Sequence, residues 1–432
     1  MPILVGIGDD FTGASDQAGM LARAGATSVL VFDPDFPLGD EWEAVTYATR
    51  LRSVPAAQAR SEARELFHMA RALHPHMVQY KYCSTFDSTP EGNIGPVLDV
   101  ATDVCGVAGT IVLPALPVNG RTTCHGYHFV LGVPLHESPM RDHPLNPMTD
   151  SSLVRWLSRQ TDRPVGLANY EVVERGPRVL REALQARWED GQPYVVVDCL
   201  SRRHARIVAR AVWDLPLISG SSALPLELPD VWRGEGLLGP RRRTAQGASR
   251  RLGRRREPVL ALSGSCAAQT LRQVAAATEF TLVRPDLMRL LSEPPGAVAE
   301  SLAGQVAAAL ADGDLVLVAT SMAVQDRTDL RVQAAAAGMD ARALGLAIEE
   351  LLGWVAAWAV REQGVRRLLV AGGETAGAVC RALQLRAVEI LGEIAPGVPL
   401  CRSLPDRELV VALKGGNFGQ DDFFVRAARC AT

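Results

Sequence analysis

At 432 residues the chain is longer than one ordinary hydrophobic core supports, so its length predicts two domains. Its net charge of −3 gives no general attraction for nucleic acid or anionic membranes, and no apolar run approaches the ~20 residues that cross a bilayer. The cysteines are scattered without zinc-ligand spacing, and the N-terminus enters a strand without a basic leader, which predicts a cytoplasmic protein with free thiols.

Short apolar runs alternate with helical patterns through the first half of the chain. The predicted strands are residues 3–7, 28–32, 45–48, 77–80, 110–113, 165–168 and 194–197, and the predicted helices are residues 14–24, 55–73, 175–190 and 201–213. This alternation predicts an α/β fold, with a mainly parallel sheet flanked by helices. Two long loops, residues 83–94 and 114–151, interrupt the pattern, and loops of that length in a compact domain are usually functional.

Apolar periodicity stops in residues 233–257, which are rich in glycine and carry two arginine clusters. This composition predicts an exposed linker between a domain at 1–232 and another at 258–432. An RNA-binding segment is the alternative, but no aromatic residues lie between the arginines. The α/β alternation resumes with strands at 259–262, 315–319, 367–370 and 409–413, and helices at 267–277, 297–311, 342–362 and 375–385.

The first predicted strand ends in an acidic turn that contains Asp9, Asp10 and Asp16. Open α/β sheets bind ligands at the carboxyl ends of their strands, and acidic groups there suit a hydroxyl-bearing or metal-bound substrate. Asp9 or Asp10 can cap the following helix, but only one of two adjacent carboxylates caps well. At least one acid is therefore expected to be available for chemistry.

Other strand ends carry polar groups that suit a polyol or a carboxylate. Residues 81–89 place Lys81 and Asp87 among hydroxyls, which either bind a polyol or carboxylate or form an ordinary Ser/Thr turn. Arg50 or Arg52 follows another strand, where it either binds a carboxylate or lies on the surface. An Asn-Gly turn presents Arg121. The histidine-rich residues 125–150 match no zinc pattern, so a polar loop is favoured over a metal site.

Glycine-rich turns follow three predicted strands of the second half, at residues 261–270, 370–377 and 413–419. Backbone N–H groups at the helix starts beyond such turns can bind phosphate. The first turn is not a Walker A loop, and it also lacks the Gly-x-Gly-x-x-Gly pattern. Three such turns in one domain predict a nucleotide site, with Glu374 placed to hold a metal ion or ribose hydroxyls.

Six blocks, at residues 9–16, 81–89, 119–122, 264–266, 372–375 and 414–419, together resemble the four-carbon acid sugar kinases. That family has an N-terminal sugar-acid domain and a C-terminal nucleotide domain. Residues 137–150 look most like the branch that acts on 3-oxo-tetronate. The chain departs from the family pattern at Ala267 and Ala376, where serine is usual, and each change could remove one hydrogen bond to phosphate.

The resemblance implies ATP-dependent phosphorylation of the 4-hydroxyl of a four-carbon sugar acid, with domain closure excluding water. It implies Asp10 as the base, with Asp9 and Asp16 as alternatives, and Mg²⁺ bridging the phosphates through water near Glu374, without direct protein ligation. The implied substrate contacts are Asp9, Asp16, Arg52, Lys81, Thr85, Asp87 and Arg121, and the implied ATP contacts are Ser263, Ser265, Gly372, Gly373, Glu374, Thr375, Gly415 and Gly416.

Three alternatives remain open on the sequence. A D-threonate or D-erythronate kinase differs only in a few pocket contacts. A non-catalytic sugar-acid sensor would keep the fold without the reaction, and an RNA-binding protein would use the arginine-rich segment. The expected partners are a sugar acid and ATP, without nucleic acid or membrane, and the oligomeric state is open, with a homo-oligomer as one option.

Overall fold

The computed structural model describes residues 1–143, 146–240, 257–395 and 397–430, and the chain divides into two compact units, Met1–Arg242 and Arg243–Thr432. Of the linker predicted at 233–257, residues 241–256 lie outside the described residues, and residues 233 and 234 end a helix. The domain boundaries derived from the sequence therefore stay predictions.

The first unit contains a parallel sheet with helices packed along it. Its strands are β1 (Leu4–Gly8), β2 (Ser28–Val31), β3 (Ala44–Ala48), β4 (Met77–Lys81), β5 (Thr110–Leu113), β6 (Arg121–Cys124), β7 (Tyr127–Val130), β8 (Val133–Pro134), β9 (Val165–Ala168), β10 (Tyr194–Val197) and β11 (Leu217–Gly220). Its helices are α1 (Phe11–Arg23), α2 (Ala56–Ala72), α3 (Ile94–Cys105), α4 (Leu153–Leu157), α5 (Tyr170–Glu174), α6 (Pro177–Glu189), α7 (Arg202–Val212) and α8 (Ala223–Gly234).

The parallel strands of this unit run in the order β2-β3-β1-β4-β11-β5-β10-β9. Strands β5 and β10 are buried along their whole length, which explains why their sequences are apolar without alternation. The long loop predicted at residues 114–151 contains a small antiparallel sheet of β6, β7 and β8. The predicted α/β fold is confirmed, and the small sheet adds a hairpin at the edge where the strands end.

The sequence pattern does not predict β11, which lies between β4 and β5. Its apolar run is short and is followed by serines, so periodicity cannot separate it from a loop. Gly220 ends this strand at a φ of 153°, and a Cβ there would lie 2.3 Å from the Leu113 carbonyl oxygen. Glycine is therefore required where β11 packs against β5.

The second unit contains a mixed sheet. Its strands are β12 (Val259–Ser263), β13 (Thr281–Val283), β14 (Leu315–Ala319), β15 (Arg367–Ala371), β16 (Ala387–Ala395), β17 (Val398–Leu404) and β18 (Val410–Lys414), in the order β13-β14-β12-β15-β18-β17-β16. Strands β13, β14, β15 and β18 are parallel with β12. Strand β17 pairs antiparallel with β18, and β16 pairs antiparallel with β17; the sequence pattern predicts neither of these two strands. Its helices are α9 (Ala268–Ala276), α10 (Pro295–Asp312), α11 (Val324–Ala336), α12 (Ala341–Glu362), α13 (Gly373–Ala382) and α14 (Phe423–Cys430).

Helix α12 is the one helix among the described residues that is long and apolar enough to cross a bilayer, with a mean hydropathy of 1.5 over its most apolar window. This corrects the expectation that no apolar run approaches that length. The helix packs against α10 and α13. A Cβ at Gly353 would lie 3.1 Å from the Ala378 carbonyl oxygen, so α12 and α13 are in close contact. Of its most apolar window 44% is buried, so α12 packs against the rest of this unit along part of its surface.

Candidate active site

The carboxyl ends of β1, β3 and β4 lie side by side in the first unit. Gly8, the last residue of β1, is in register with Ala48 of β3 and Lys81 of β4. The chain segments that leave these strands therefore start from one edge of the sheet. Asp9 follows β1 and Arg52 follows β3, and the two side chains are in contact there.

Arg52 joins three carboxylates at this edge. Its Nε and Nη2 atoms donate to the two oxygens of Asp9, over 2.9 and 2.7 Å. Its Nη1 atom lies 2.9 Å from Asp10 Oδ2 and 3.4 Å from Asp87 Oδ2. Asp9 is only 1% exposed, and this burial raises the pKa of its carboxyl, an effect that the charge of Arg52 opposes. The guanidinium is therefore engaged by protein carboxylates.

Asp10 serves as the cap of α1. Its Oδ1 atom accepts a hydrogen bond from the Gly13 backbone N–H, over 2.6 Å, while Oδ2 faces Arg52. Its side chain is 31% exposed, in contrast to that of Asp9. Of the two adjacent acids, Asp10 is thus the one that caps the helix and also the one that a ligand can reach.

Asp16 lies about a turn and a half further along α1 and is buried. Its Oδ2 atom accepts from the Ser222 hydroxyl, and its Oδ1 atom has no hydrogen-bond partner among the described residues. Burial raises the pKa of Asp16, and the nearby positive charges of Lys81 and Arg121 oppose this shift. Lys81 is itself buried, and its Nζ atom donates to the Tyr82 carbonyl over 2.9 Å.

The loop after β4 is held in place by a histidine. His128 on β7 is fully buried, and burial lowers the pKa of its imidazole to about 4. The neutral ring donates from Nε2 to the Ser84 carbonyl over 2.8 Å, and its Nδ1 accepts from the Thr123 hydroxyl over 3.0 Å. Within the loop, Thr85 Oγ1 contacts Cys83 Sγ at 3.0 Å.

Arg121 begins β6, and hydrogen bonds to Asp198 fix the hairpin that carries it. Its Nη1 atom donates to the Asn119 carbonyl, and its Nε atom has no partner within the described chain. Asp198, which follows β10, accepts hydrogen bonds from the backbone N–H groups of His125, Gly126 and Tyr170. Burial raises the pKa of Asp198, and these N–H groups oppose the shift.

The histidine-rich loop forms ordinary polar contacts. Asp150 accepts two hydrogen bonds from Arg155, over 2.7 and 2.6 Å, and His136 Nδ1 lies 2.7 Å from Ser151 Oγ. In the residues that the structure describes, no group of three His, Cys, Asp or Glu side chains could hold a metal ion.

In the second unit, the glycine turns after β12, β15 and β18 meet because these strands are neighbours in the sheet. The Gly264 N–H donates to the Ala371 carbonyl over 3.1 Å, and the Gly372 N–H donates to the Lys414 carbonyl over 2.8 Å. A Cβ at Gly264 would lie 2.2 Å from Thr375 Oγ1. This position therefore requires glycine because another turn occupies the space.

The first of these turns presents two serines. Ser263 is buried, and its hydroxyl has no partner among the residues described. Ser265 Oγ accepts from the Ala267 N–H over 3.2 Å. Ala267 is the N-cap of α9 and offers no side-chain oxygen, so Ser265 supplies the local acceptor. On the second turn, Gly373 begins α13 and Glu374 is exposed.

Comparison with known proteins decides what these two sites belong to. A family model described as a sugar-binding N-terminal domain matches residues 4–228, and one described as a nucleotide-binding C-terminal domain matches residues 260–424. A 3-oxo-tetronate kinase of Methylobacterium radiotolerans is 42% identical, over 98% of this chain and 97% of its own length. The chain belongs to the four-carbon acid sugar kinase family.

Two further proteins are similar to this chain over nearly its whole length. A 3-oxo-tetronate kinase of Burkholderia multivorans is 38% identical, covering 99% of this chain and 97% of its own length. A crystal structure of a Salmonella typhimurium LT2 protein has a TM-score of 0.86 and 34% identity, with 98% of each chain covered. The predicted family is thus confirmed over nearly the whole chain, as are the sugar-binding and nucleotide-binding domains of this kinase.

The structure brings most of the predicted residues of this kinase into two groups, but it also adds residues that the sequence did not indicate. Asp198 and His128 anchor the hairpin and the loop around the acidic cluster. In the sequence, Asp198 is marked only by its position directly after a predicted strand, which ends at the same edge of the sheet. Lys414 belongs to the block at residues 414–419 but is not among the predicted site residues, and its ammonium is buried beneath the third glycine turn.

Proposed function

We propose that this kinase transfers the γ-phosphoryl group of ATP to the 4-hydroxyl of 3-oxo-tetronate. The observation that carries the proposal is the similarity to 3-oxo-tetronate kinases over 98% of the chain. The structure supports it with a cluster of acidic and basic side chains in the first unit and clustered glycine turns in the second. Phosphoryl transfer needs positioning and charge neutralisation above all, and these are what such groups supply.

Among the acids, we assign the base to Asp10. Asp9 is held by Arg52 through both of its oxygens and is only 1% exposed, so a substrate hydroxyl reaches it less readily than Asp10. Asp10 is held in one orientation by Gly13 and Arg52 and is partly exposed. Asp16 is the alternative, because its Oδ1 atom is open and burial raises its pKa toward the range of a general base.

The substrate carboxylate needs cations that are not already engaged. Arg52 is occupied by three protein carboxylates, so we assign it to orienting Asp10 rather than to binding the carboxylate. Lys81 has N–H groups beyond the one used on Tyr82, and the Nε atom of Arg121 is without a partner among the described residues. We therefore assign the carboxylate to Lys81 and Arg121, and the hydroxyls to Thr85 and Asp87.

In the second unit we assign ATP to the turns containing Ser263 and Ser265, Gly372 to Thr375, and Gly415 with Gly416. The unpartnered Ser263 hydroxyl and the close-packed glycines fit a phosphate group. Mg²⁺ usually keeps several waters and binds substrate phosphates with one or two carboxylates, and the exposed Glu374 suits contact through water. The metal would neutralise phosphate charge, while this chain's own groups position ATP.

We also propose that the protein works in the cytoplasm, because its cysteines are free and several are buried. The alternative of an RNA-binding arginine segment concerns residues 241–256, which lie outside the described residues. If that segment binds RNA through its charge, its affinity for RNA should fall as the salt concentration rises.

The deciding experiment is ADP release from Mg-ATP, measured against a panel of four-carbon acids that includes freshly prepared 3-oxo-tetronate. A strong preference for the 3-oxo acid supports the proposal. A preference for D-threonate or D-erythronate keeps the kinase and changes its substrate. No ADP release with any acid, while nucleotide still binds, favours a non-catalytic sensor.

The choice of base is tested with Asp10→Asn and Asp16→Asn. If Asp10 is the base, Asp10→Asn lowers kcat by about 100-fold or more while the KM of the sugar acid changes little. Asp150→Asn is the matched control, because Asp150 pairs with Arg155 away from the acidic cluster. Unchanged kcat in Asp10→Asn, together with a large loss in Asp16→Asn, would transfer the role to Asp16.

A further inference from the structure

The chain contains lysine at only two positions, 81 and 414, among its 45 basic residues. Both lysines are buried, with Lys81 2% and Lys414 1% exposed. Lysine is among the residues least often buried, because its compact ammonium is strongly hydrated. Lys81 lies beside the acidic cluster of the first unit, whereas Lys414 is in the nucleotide domain without such neighbours. A specific use of the Lys414 ammonium must offset its burial.

Lys414 ends β18, and its ammonium lies under the turn that follows. Its Nζ atom donates to Thr270 Oγ1 over 3.0 Å, to the Gly415 carbonyl over 2.9 Å and to the Gly416 carbonyl over 3.0 Å. The Phe423 ring covers it at 5.7 Å. All three N–H groups are used, but every acceptor is neutral. Burial lowers the pKa of this amine to about 7.

The charged groups of the surrounding elements do not supply a counter-ion. On the flanking strands, Arg367 and Arg402 are in register with Val410, at the opposite end of β18 and about 13 Å away. The charged side chains on the neighbouring helices are the exposed Glu374 and four arginines that have carboxylate partners elsewhere. These pairs are Arg272 with Asp421 at 3.3 Å, Arg381 with Glu349 at 3.6 Å, Arg426 with Asp422 at 3.9 Å and Arg429 with Glu279 at 3.0 Å. No ion pair to Lys414 occurs among the described residues.

The contacts of Lys414 also fix the direction in which the backbone N–H groups of the turn after β18 point. In a trans peptide the N–H points opposite to the C=O of the same unit. Because the Gly415 and Gly416 carbonyls point to the ammonium, the N–H groups of Gly416 and Asn417 point away from it. Neither N–H donates a hydrogen bond within the described chain. Consecutive N–H groups that point to one side are a recognised anion-binding arrangement.

We propose that Lys414 is the positioning residue and countercharge for the nucleotide phosphates. Its ammonium holds the two glycine carbonyls inward, which directs the next two N–H groups at a phosphate, and the phosphate balances the otherwise uncompensated charge. The inference rests on the proposed function only in requiring a nucleoside diphosphate or triphosphate as the ligand. Nucleotide binding and protonation of Lys414 are then linked, so binding above neutral pH takes up a proton and weakens as the pH rises.

The wild-type protein allows a direct test, because it has only two lysines to observe. Lysine labelled with ¹³C at Cε reports amine ionisation by NMR, and Lys414→Arg assigns the signal. Without ligand we expect the Lys414 signal to titrate near pH 7, and with saturating ADP we expect the midpoint to rise by about one pH unit or more. The Lys81 signal is the internal control. If ADP binds but the titration midpoint of Lys414 does not change, the inference is overturned while the proposed function stands. Absence of any ADP binding overturns the proposed function as well.

Calorimetry and kinetics separate this role from a purely structural one. At pH 8, wild-type protein should take up protons on binding ADP, seen as a dependence of binding heat on the ionisation enthalpy of the buffer, and Lys414→Met should not. We expect the KM of ATP to rise by about tenfold or more in Lys414→Met, with the KM of the sugar acid unchanged. Arg272→Met is the control on the neighbouring α9. Equal proton uptake by Lys414→Met and wild type would refute the proposal.

Discussion

Replacing Arg52 with methionine tests whether the acidic cluster depends on one guanidinium. The change keeps much of the side-chain volume but removes both hydrogen bonds to Asp9 and the contact with Asp10. Asp9 is 1% exposed and would be left as a buried carboxylate without its cation. Its pKa, which burial already raises, should rise further because Arg52 is the main opposing charge.

The expected loss follows from these contacts. Each hydrogen bond to a charged group contributes about 1.5–3 kcal/mol, and removing one partner of a buried ion pair typically costs about 3–5 kcal/mol. We therefore expect the free energy of unfolding to fall by about 3–5 kcal/mol at pH 8. A carboxyl with a raised pKa binds more protons in the folded state than in the unfolded state. The loss should therefore shrink as the pH falls, by up to about 1.4 kcal/mol per pH unit once Asp9 begins to protonate.

Urea unfolding at pH 8 and pH 5, followed by tryptophan fluorescence, measures both effects. Arg181→Met is the matched control, because Arg181 binds Asp214 with two similar hydrogen bonds in a more exposed site and should cost at most about 1 kcal/mol. The double variant Asp9→Asn with Arg52→Met should recover part of the loss, since no buried charge remains. A loss below about 1 kcal/mol, or one that does not change with pH, would refute this account of the cluster.

Three further predictions concern other parts of the two sites. Because burial lowers the pKa of Lys414 to about 7, the unfolded chain binds more protons than the folded chain above that pH. The free energy of unfolding without nucleotide should therefore rise between pH 7 and 9 by up to about 1.4 kcal/mol per unit, and Lys414→Met should flatten that slope in urea titrations. Gly264→Ala should raise the KM of ATP but not that of the sugar acid in the ADP-release assay, because its Cβ would lie 2.2 Å from Thr375 Oγ1. Asp198→Asn should lower the free energy of unfolding by about 1–3 kcal/mol in urea and raise the KM of the sugar acid, because an amide cannot accept from all three backbone N–H groups, two in the hairpin and one at the start of α5. Unchanged values would show that Asp198 does not position Arg121.

Much of the architecture was available from sequence patterns. Strands β5, β9, β10 and β14 occupy the residues that their apolar runs predict. Alternation of strands and helices implies parallel sheets, and the carboxyl ends of parallel strands share one edge. For that reason the sequence predicts ligand-binding groups after β1 and β4, and a nucleotide site at the three glycine turns.

Elements without a distinctive local pattern escaped prediction. Strand β11 is short, and it is defined by the two parallel strands between which it pairs. The antiparallel pair β16 and β17 extends the second sheet, and bulges interrupt its register. Apolar periodicity reports which side of a segment is buried, but pairing partners depend on strands that lie far away in the chain.

The roles of individual side chains were decided by the tertiary structure. The sequence placed Asp9, Asp10 and Arg52 at strand ends, but only the fold shows that Arg52 binds both oxygens of a residue 43 positions away. It also shows that Asp10 is the helix cap. The buried ammonium of Lys414 is a further example, because nothing in its local sequence indicates that Phe423 and Thr270 cover it. Local sequence determines backbone pattern, whereas desolvation and ion pairing depend on atoms that only folding brings together.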